Sequence, residues 1–443
     1  MIRNDLTQGN LFGKMIAFAI PYLISCFLQT FYGLADLFIT GLYNNAIPVT
    51  AVSIGSQVMH VLTVILVALV MGSTISIGHA IGGKREEEAG KAIGNSISLF
   101  SFVAVFLTGL LFFSIDGVLS LLKTPPEAFA NTKDYLQICF SGLPFIIAYN
   151  VIAGIFRGLG DTKSPMYFVA IAGIINIALD YLLIGSYGMS AAGAAWATII
   201  SQAISVLLAL FYLHKKSLGI PFGKKYLSPD WYIMSRLLSI GLPIAFQDGV
   251  IQISFLIITA IANSRGVEVA AAVGIVEKTI GFLFLVPSSM LSTVSTITAQ
   301  NAGAGLHQRG KKSLYYGMSI CTVYGILCLT VIQFSAERVV ACFVNETEVI
   351  RLGGEYFRAY VWDVMFAGFQ FCYSGYFSGY GKSIYAFIHN FLSTILVRVP
   401  GTYLAVILFP ATLYPMGIAS PMGSLFSTLV CLGIYYWKFR KIQ

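Results

Sequence analysis

The sequence predicts an all-α polytopic membrane protein with twelve transmembrane helices arranged as two parallel six-helix repeats. Three observations predict it. Of 443 residues 57% are apolar and 10% charged, mean hydropathy is +0.80, and long apolar runs recur from end to end, with the two halves echoing each other at a fixed offset. A helix needs about 20 mostly apolar residues to cross the hydrocarbon core. The runs are continuous rather than alternating, which excludes the strands of a membrane barrel.

Twelve runs reach that length, at residues 13–40, 47–78, 93–115, 134–156, 165–186, 190–213, 237–261, 268–299, 314–335, 354–377, 384–409 and 413–437. The first is read as a span and not as a removable signal. MIRNDLTQGNLFGK before it is polar and holds no short apolar core with a small-residue cleavage site. The seven cysteines are scattered, without CxxC or paired spacing, and read as small apolar fillers rather than a metal cluster or disulfide framework.

Orientation follows from Lys and Arg, which concentrate in cytoplasmic loops. Both termini (Arg3, Lys14, Lys438, Arg440, Lys441) and the loops GGKREEEAGK, RGLGDTKS, HKKSLGIPFGKKYLSPDWYIMSR, LHQRGKK and GYGKS place 19 of the 27 basic residues on one side. Six lie on the other side (Lys123, Lys133, Arg265, Arg338, Arg351, Arg358), and Lys278 and Arg398 fall within spans. Both termini are therefore expected in the cytoplasm, with the chain in the cell membrane. The net charge of +8 is a topology signal that needs no nucleic-acid partner. Glu86 to Glu88, beside Lys84, Arg85 and Lys91, read as a solvated helix start.

A shift of 221 residues lays AVSIG (51) on AVGIV (272), GHAIGGK (78) on AQNAGAG (299), YLQICFSGLPF (135) on YFRAYVWDVMF (356) and GIFRGLGDTKS (154) on GYFSGYGKSIY (375). Shared hydrophobicity does not match loop glycines and aromatics at one offset, so the halves read as homologous. Six spans is an even number, which makes the repeat parallel, with its pseudo-two-fold axis along the membrane normal. The expected division is an amino lobe at 1–213, a polar cytoplasmic linker at 214–236 and a carboxy lobe at 237–443.

Polar residues that break the repeat carry the chemistry. Under the same shift Asp36 meets Ile257, Asn176 meets Val397 and Asp180 meets Gly401, so the first half has two intramembrane carboxylates that its twin lacks. Such residues are costly in a bilayer and usually face a partner or water. Asn176 and Asp180, four apart, share one helix face. Thr198 adds a hydroxyl on the next span, the plainer reading being a bond to its own helix backbone. Gln29, Tyr32 and Asp36 form a polar stripe on the first span, and Pro21 removes a backbone donor upstream, where Pro243 stands at the matching place in the second half. An oxygen-rich set with carboxylate charge suits a hard cation such as Na+. Two close carboxylates would equally share a proton, and the residues do not choose between these ions.

Taken together, the two six-span repeats, the GHAIGGK and AQNAGAG loops and RGLGDTKSP resemble the multidrug and toxic compound extrusion family over essentially the whole chain. In its prokaryotic DinF-like branch the family's amino-lobe cation site combines an Asp on span 1, an Asn and Asp four apart on span 5 and a Thr on span 6. Here those positions are Asp36, Asn176, Asp180 and Thr198. The resemblance implies a V-shaped, monomeric antiporter, without cofactor, that exports organic cations and drugs in exchange for Na+ or H+ by alternating access. It further implies that Gln29, Tyr32, Asn150 and Gln202 line the amino-lobe cavity and that span 1 hinges near Pro21. The family's NorM branch keeps carboxy-lobe acids on spans 7 and 10. Asp248, Glu277 and Asp363 lie in or near this lobe's spans at different places, and pairing of Asp248 and Glu277 with Lys278 or Arg398 is the competing reading. His60 and His389 read as satisfied structural histidines.

Two other carriers fit part of the pattern. A lipid-linked oligosaccharide flippase of the same superfamily would have fourteen spans and a basic cavity, and a major-facilitator carrier would lack the GLGD and QNAGAG loops. An enzyme is not expected, since HExxH, GxSxG and GxxxxGK[ST] are absent and the loops are short.

Overall fold

The computed structural model describes residues 4–216 and 218–440. Arg3 and Lys441, counted above among the cytoplasmic charges, lie outside the described residues. Twelve membrane-length helical segments occur among the described residues, and no strand does. Spans 1 to 3 are Leu11–Tyr43, Ala46–Gly82 and Glu86–Leu121, span 4 is the pair Pro126–Ser141 and Leu143–Gly158, and spans 5 and 6 are Lys163–Ser186 and Ser190–Lys215. Spans 7 to 9 are Trp231–Asn263, Val267–Gly303 and His307–Ala341, span 10 is the pair Thr347–Tyr360 and Trp362–Gly379, and spans 11 and 12 are Ile384–Leu408 and Tyr414–Phe439.

Ten of these are long and apolar enough to cross a bilayer, and span 4, whose two parts meet at 48°, makes an eleventh. Span 10 is more polar because its first turns carry Arg351, ion-paired at 2.6 Å to both Glu348 and Glu355. Several helices extend beyond the apolar runs. Span 3 starts at Glu86, where acids complement the amino-terminal helix dipole, and Arg85–Glu88 (2.9 Å) and Lys91–Glu87 (3.6 Å) pairs surround that start. All seven cysteines are free, and five are buried among apolar neighbours.

The chain forms two compact units. Unit 1 comprises residues 4–5 and Ile20–Gly241, and unit 2 comprises Leu6–Ala19 and residues 242–440. Unit 1 packs around one apolar core that includes Val70, Ile77, Ile93, Phe100, Phe140, Phe156 and Ile199. Within it spans 2 and 7 touch backbone to backbone. A Cβ on Gly72 would lie 2.1 Å from the Leu237 carbonyl oxygen, and one on Gly241 would lie 2.2 Å from that of Leu69. The linker is folded against span 3, with Asp230 N–H donating to Asn95 Oδ1 (2.7 Å) and Ser98 Oγ donating to the Leu227 carbonyl (2.6 Å).

Unit 2 has two apolar cores. One gathers Val273, Val276, Tyr356, Phe357, Tyr360 and Met416. The other buries Leu6, Met15 and Phe18 against Ile297, Leu314, Phe377 and Phe439. The amino-terminal segment is tied down there by Leu6 N–H to Gln300 Oε1 (3.0 Å) and by Arg309 Nη2 to the Gln8 carbonyl (3.0 Å). Span 1 is therefore one helix through Pro21 whose first turns belong to unit 2, and span 7 is one helix through Pro243 whose first turns belong to unit 1.

Candidate cation site

The site is built in unit 1 by spans 1, 5 and 6. Apolar faces of these helices turn inward and carry Asp36, Asn176 and Asp180 with them, at 4%, 0% and 0% exposure. Thr198 Oγ1 donates to Asp36 Oδ2 at 3.1 Å and lies 3.0 Å from the Ala194 carbonyl, so the local backbone contact and the site contact coexist. Asp180 and Asn176 are in electrostatic contact with Asp36. Yet Asp36 Oδ1, both Asp180 oxygens and both Asn176 side-chain atoms make no hydrogen bond of normal geometry among the described residues. Immediately after Asp180 the helix opens into a π-helical stretch, Tyr181–Ser186, a local widening that recurs at functional sites.

Charge defines what this arrangement can do. The groups acting on Asp36 and Asp180 are each other, Thr198 and Asn176, with no lysine or arginine among them. Two buried carboxylates without a basic partner carry a desolvation cost that the Thr198 hydrogen bond to Asp36 offsets only in part. The unpaired atoms are oxygens of two carboxylates and a carboxamide, beside a hydroxyl. Such a set fits a hard monovalent cation or a shared proton. Among the described residues no three His, Cys, Asp or Glu side chains come together as a metal cluster.

The other sequence-predicted residues separate into two groups. Tyr32 OH accepts from Gln202 Nε2 at 3.2 Å, and its charge environment includes Asp36, so both residues adjoin the site. Asn150 is buried but donates to its own helix at the Ile146 carbonyl (2.8 Å), and Gln29 is half-buried without a hydrogen bond among the described residues. Two residues of span 4 that sequence reasoning passed over, Tyr135 and Cys139, lie in the field of Asp36. Their twins under the 221 shift are Tyr356 and Tyr360, so they read as shared architecture. Arg157, also on span 4, is buried with Nε and Nη2 unbonded among the described residues and its guanidinium over the Tyr22 ring at 5.4 Å.

Unit 2 arranges its charges differently. Arg398 Nη2 donates to Asp363 Oδ2 at 2.9 Å in a fully buried ion pair. The ion pairs that are the competing reading for Asp248 and Glu277 are absent among the described residues. Arg398 takes Asp363 because both lie deep in the interior, whereas Glu277 Oε2 accepts from Thr259 Oγ1 (3.0 Å) and only feels the Arg398 charge. Asp248 is half-buried and has no ion-pair partner among the described residues. His389 is satisfied on both nitrogens, by Ser374 Oγ at 2.8 Å and Ser427 Oγ at 2.7 Å, whereas His60 is exposed.

The MatE family model matches this chain twice, at residues 21–182 and 243–404. The chain is 28% identical to the probable multidrug resistance protein YpnP of Bacillus subtilis, the alignment covering 99% of this chain and 97% of the relative. It is 25% identical to the probable multidrug resistance protein NorM of Thermotoga maritima, over 97% and 93% of the two chains. Among solved structures, a MATE protein in the straight conformation superposes with a TM-score of 0.90 at 20% identity, covering 99% of this chain and 97% of that one. A transporter of the MOP superfamily from Pyrococcus furiosus, described as having a binding pocket of reversed polarity, gives 0.91 at 22% identity over 99% and 97%.

Proposed function

This chain belongs to the MatE family, and from that premise we propose that it is a secondary active multidrug efflux antiporter. It resides in the cell membrane with both termini cytoplasmic, acts as a monomer, and exports organic, mainly cationic compounds in exchange for Na+ or H+ by alternating access. The curated relatives, named as multidrug resistance and export proteins along nearly their whole length, support export as the activity. The bias of loop lysines and arginines supports the orientation.

The observation that carries the coupling is the base-free pair Asp36 and Asp180, with Asn176 and Thr198 beside it. An incoming cation or proton neutralises the pair, and a cationic compound then loses the attraction that held it. Exchange requires the two ligands to prefer opposite states, because equal affinity for both states shifts nothing. Gln29, Tyr32, Asn150 and Gln202 provide polar wall on the compound's side of the site, and Pro21 provides the flexible point of span 1. Asp248 and Glu277, the acids of the second lobe, are secondary candidates for the ion.

The test is export from everted vesicles under a Na+ gradient alone and then a proton gradient alone. Asp36→Asn and Asp180→Asn each abolish the gradient-driven component while the proteins melt near the parent temperature. Full export by both variants excludes this role for the carboxylates.

A further inference from the structure

Each repeat carries a cleft at the start of its third span, and the two clefts are charged differently. Under the 221 shift Glu86, Glu87, Glu88 and Lys91 of span 3 meet His307, Gln308, Arg309 and Lys312 of span 9. The cleft of unit 1, about 490 Å³, has Glu87, Lys91, Lys225 and Asp230 in its wall, two acids against two bases. The cleft of unit 2, about 500 Å³, has Leu11, His307, Gln308, Arg309, Lys312 and Tyr316, and no acid among the described residues that line it. The enrichment of Lys and Arg in cytoplasmic loops accounts for the bases. It does not account for the removal of every acid from one of two equivalent clefts.

The bases of the second cleft keep their charge uncompensated. Arg309 donates from Nη2 to the Gln8 carbonyl (3.0 Å) and from Nε to the Leu6 carbonyl (3.4 Å), neutral acceptors that orient the guanidinium without cancelling it. Lys312 is exposed and has no hydrogen bond or ion pair among the described residues, whereas its twin Lys91 pairs with Glu87 at 3.6 Å. Beside these bases the wall turns apolar. Leu11 is buried, and the exposed rings of Phe12 and Tyr316 meet edge to face with centres 5.8 Å apart. At 1.5 Å per residue the 35-residue helix of span 9 is about 52 Å long and, centred on a core about 30 Å thick, extends about 11 Å past it at each end. Lys312, about 8 Å from the start, then falls in the headgroup layer and Tyr316, about 14 Å in, at the edge of the hydrocarbon. Bases at headgroup level above aromatic rings complement an anion that carries hydrocarbon.

We propose that the cleft of unit 2 binds an anionic phospholipid, whose phosphodiester sits between Arg309 and Lys312 while its glycerol and first acyl carbons lie against Tyr316 and Phe12. Arg309, oriented by its carbonyl acceptors, presents its remaining guanidinium nitrogen, and Lys312 supplies a mobile ammonium with three donors. Leu11 and Phe12 begin span 1, so the lipid joins the first turn of the helix that carries Asp36 to span 9. The site stands apart from the exchange reading and takes from it only the orientation, which puts the cleft in the leaflet whose surface is anionic.

The test is native mass spectrometry of the purified full chain titrated with phosphatidylglycerol, with phosphatidylcholine of the same acyl chains, and with glycerol phosphate as competitor. The parent retains phosphatidylglycerol in preference to phosphatidylcholine, which has the same phosphodiester but no net charge, and glycerol phosphate does not displace it. Lys312→Gln lowers that preference about fivefold, the scale of one base at an anionic surface, Lys312→Arg keeps it, and Lys91→Gln in the twin cleft leaves it unchanged. Lys312 is exposed, so its variants fold as the parent does, whereas Arg309 also anchors the amino-terminal segment. Equal retention of the two lipids by the parent overturns the proposal, as does an equal loss in Lys91→Gln, or no loss in both Lys312→Gln and Lys312→Glu. Displacement of the lipid by equimolar glycerol phosphate makes the cleft a site for free anions and overturns it too.

Discussion

Arg398 and Asp363 show at the residue scale what a buried charge requires. The pair is enclosed in unit 2, with Arg398 Nη2 on Asp363 Oδ2 and the Arg398 guanidinium 5.9 Å from the centre of the Phe255 ring. Removing one member strands the other, at a cost of about 3–5 kcal/mol. Arg398→Met is therefore expected to lower the melting temperature strongly, and adding Asp363→Asn to recover much of the loss, as a thermal melt in detergent checks. In unit 1 the same accounting supports the proposed exchange, because Asp36 and Asp180 have no basic partner among the described residues. That contrast was partly legible in the sequence. Asp36, Asn176 and Asp180 stood out because their twins are apolar, whereas Tyr135 and Cys139 did not, since aromatic twins made them look like repeated packing. The partner of Arg398 was out of reach because three acids of the second half were available and only burial decides among them.

At the scale of elements, close helix approach is set by single glycines. Spans 2 and 7 meet where Gly72 faces the Leu237 carbonyl and Gly241 faces that of Leu69. Any side chain there must push backbone aside, so Gly72→Val is expected to cost about 1–3 kcal/mol and to reduce folded yield. Gly109 on span 3, with nothing within 4 Å of its would-be Cβ, serves as a control whose Ala variant melts like the parent. Apolar runs located all twelve spans, since length and hydropathy are properties of the chain itself. The helix ends were less accessible. Charged first turns, as at Glu86 and Glu348, continue a helix into the interface where hydropathy no longer tracks it.

For the whole molecule, the decisive feature is that each unit includes a stretch from the other half of the chain. Leu6–Ala19 completes the second core of unit 2, and Trp231–Gly241 completes unit 1. Hydropathy could not reveal this, because spans 1 and 7 are continuous helices across the change. A half-chain ending in the linker thus lacks part of its own core. Residues 1–216 or 218–443 expressed alone are expected to be degraded in the membrane, and co-expression to restore a complex that co-purifies; stable accumulation of either half alone would contradict the assignment. The reciprocity also bears on ancestry. Two identical six-span chains that traded their first helical turns would form a domain-swapped pair, and fusing their genes would preserve the trade. On that reading span 1 and span 7 carry the imprint of a dimer that preceded the single polypeptide, and a later loss or gain of carboxylates left Asp36 and Asp180, the acids proposed for ion coupling, in one copy only.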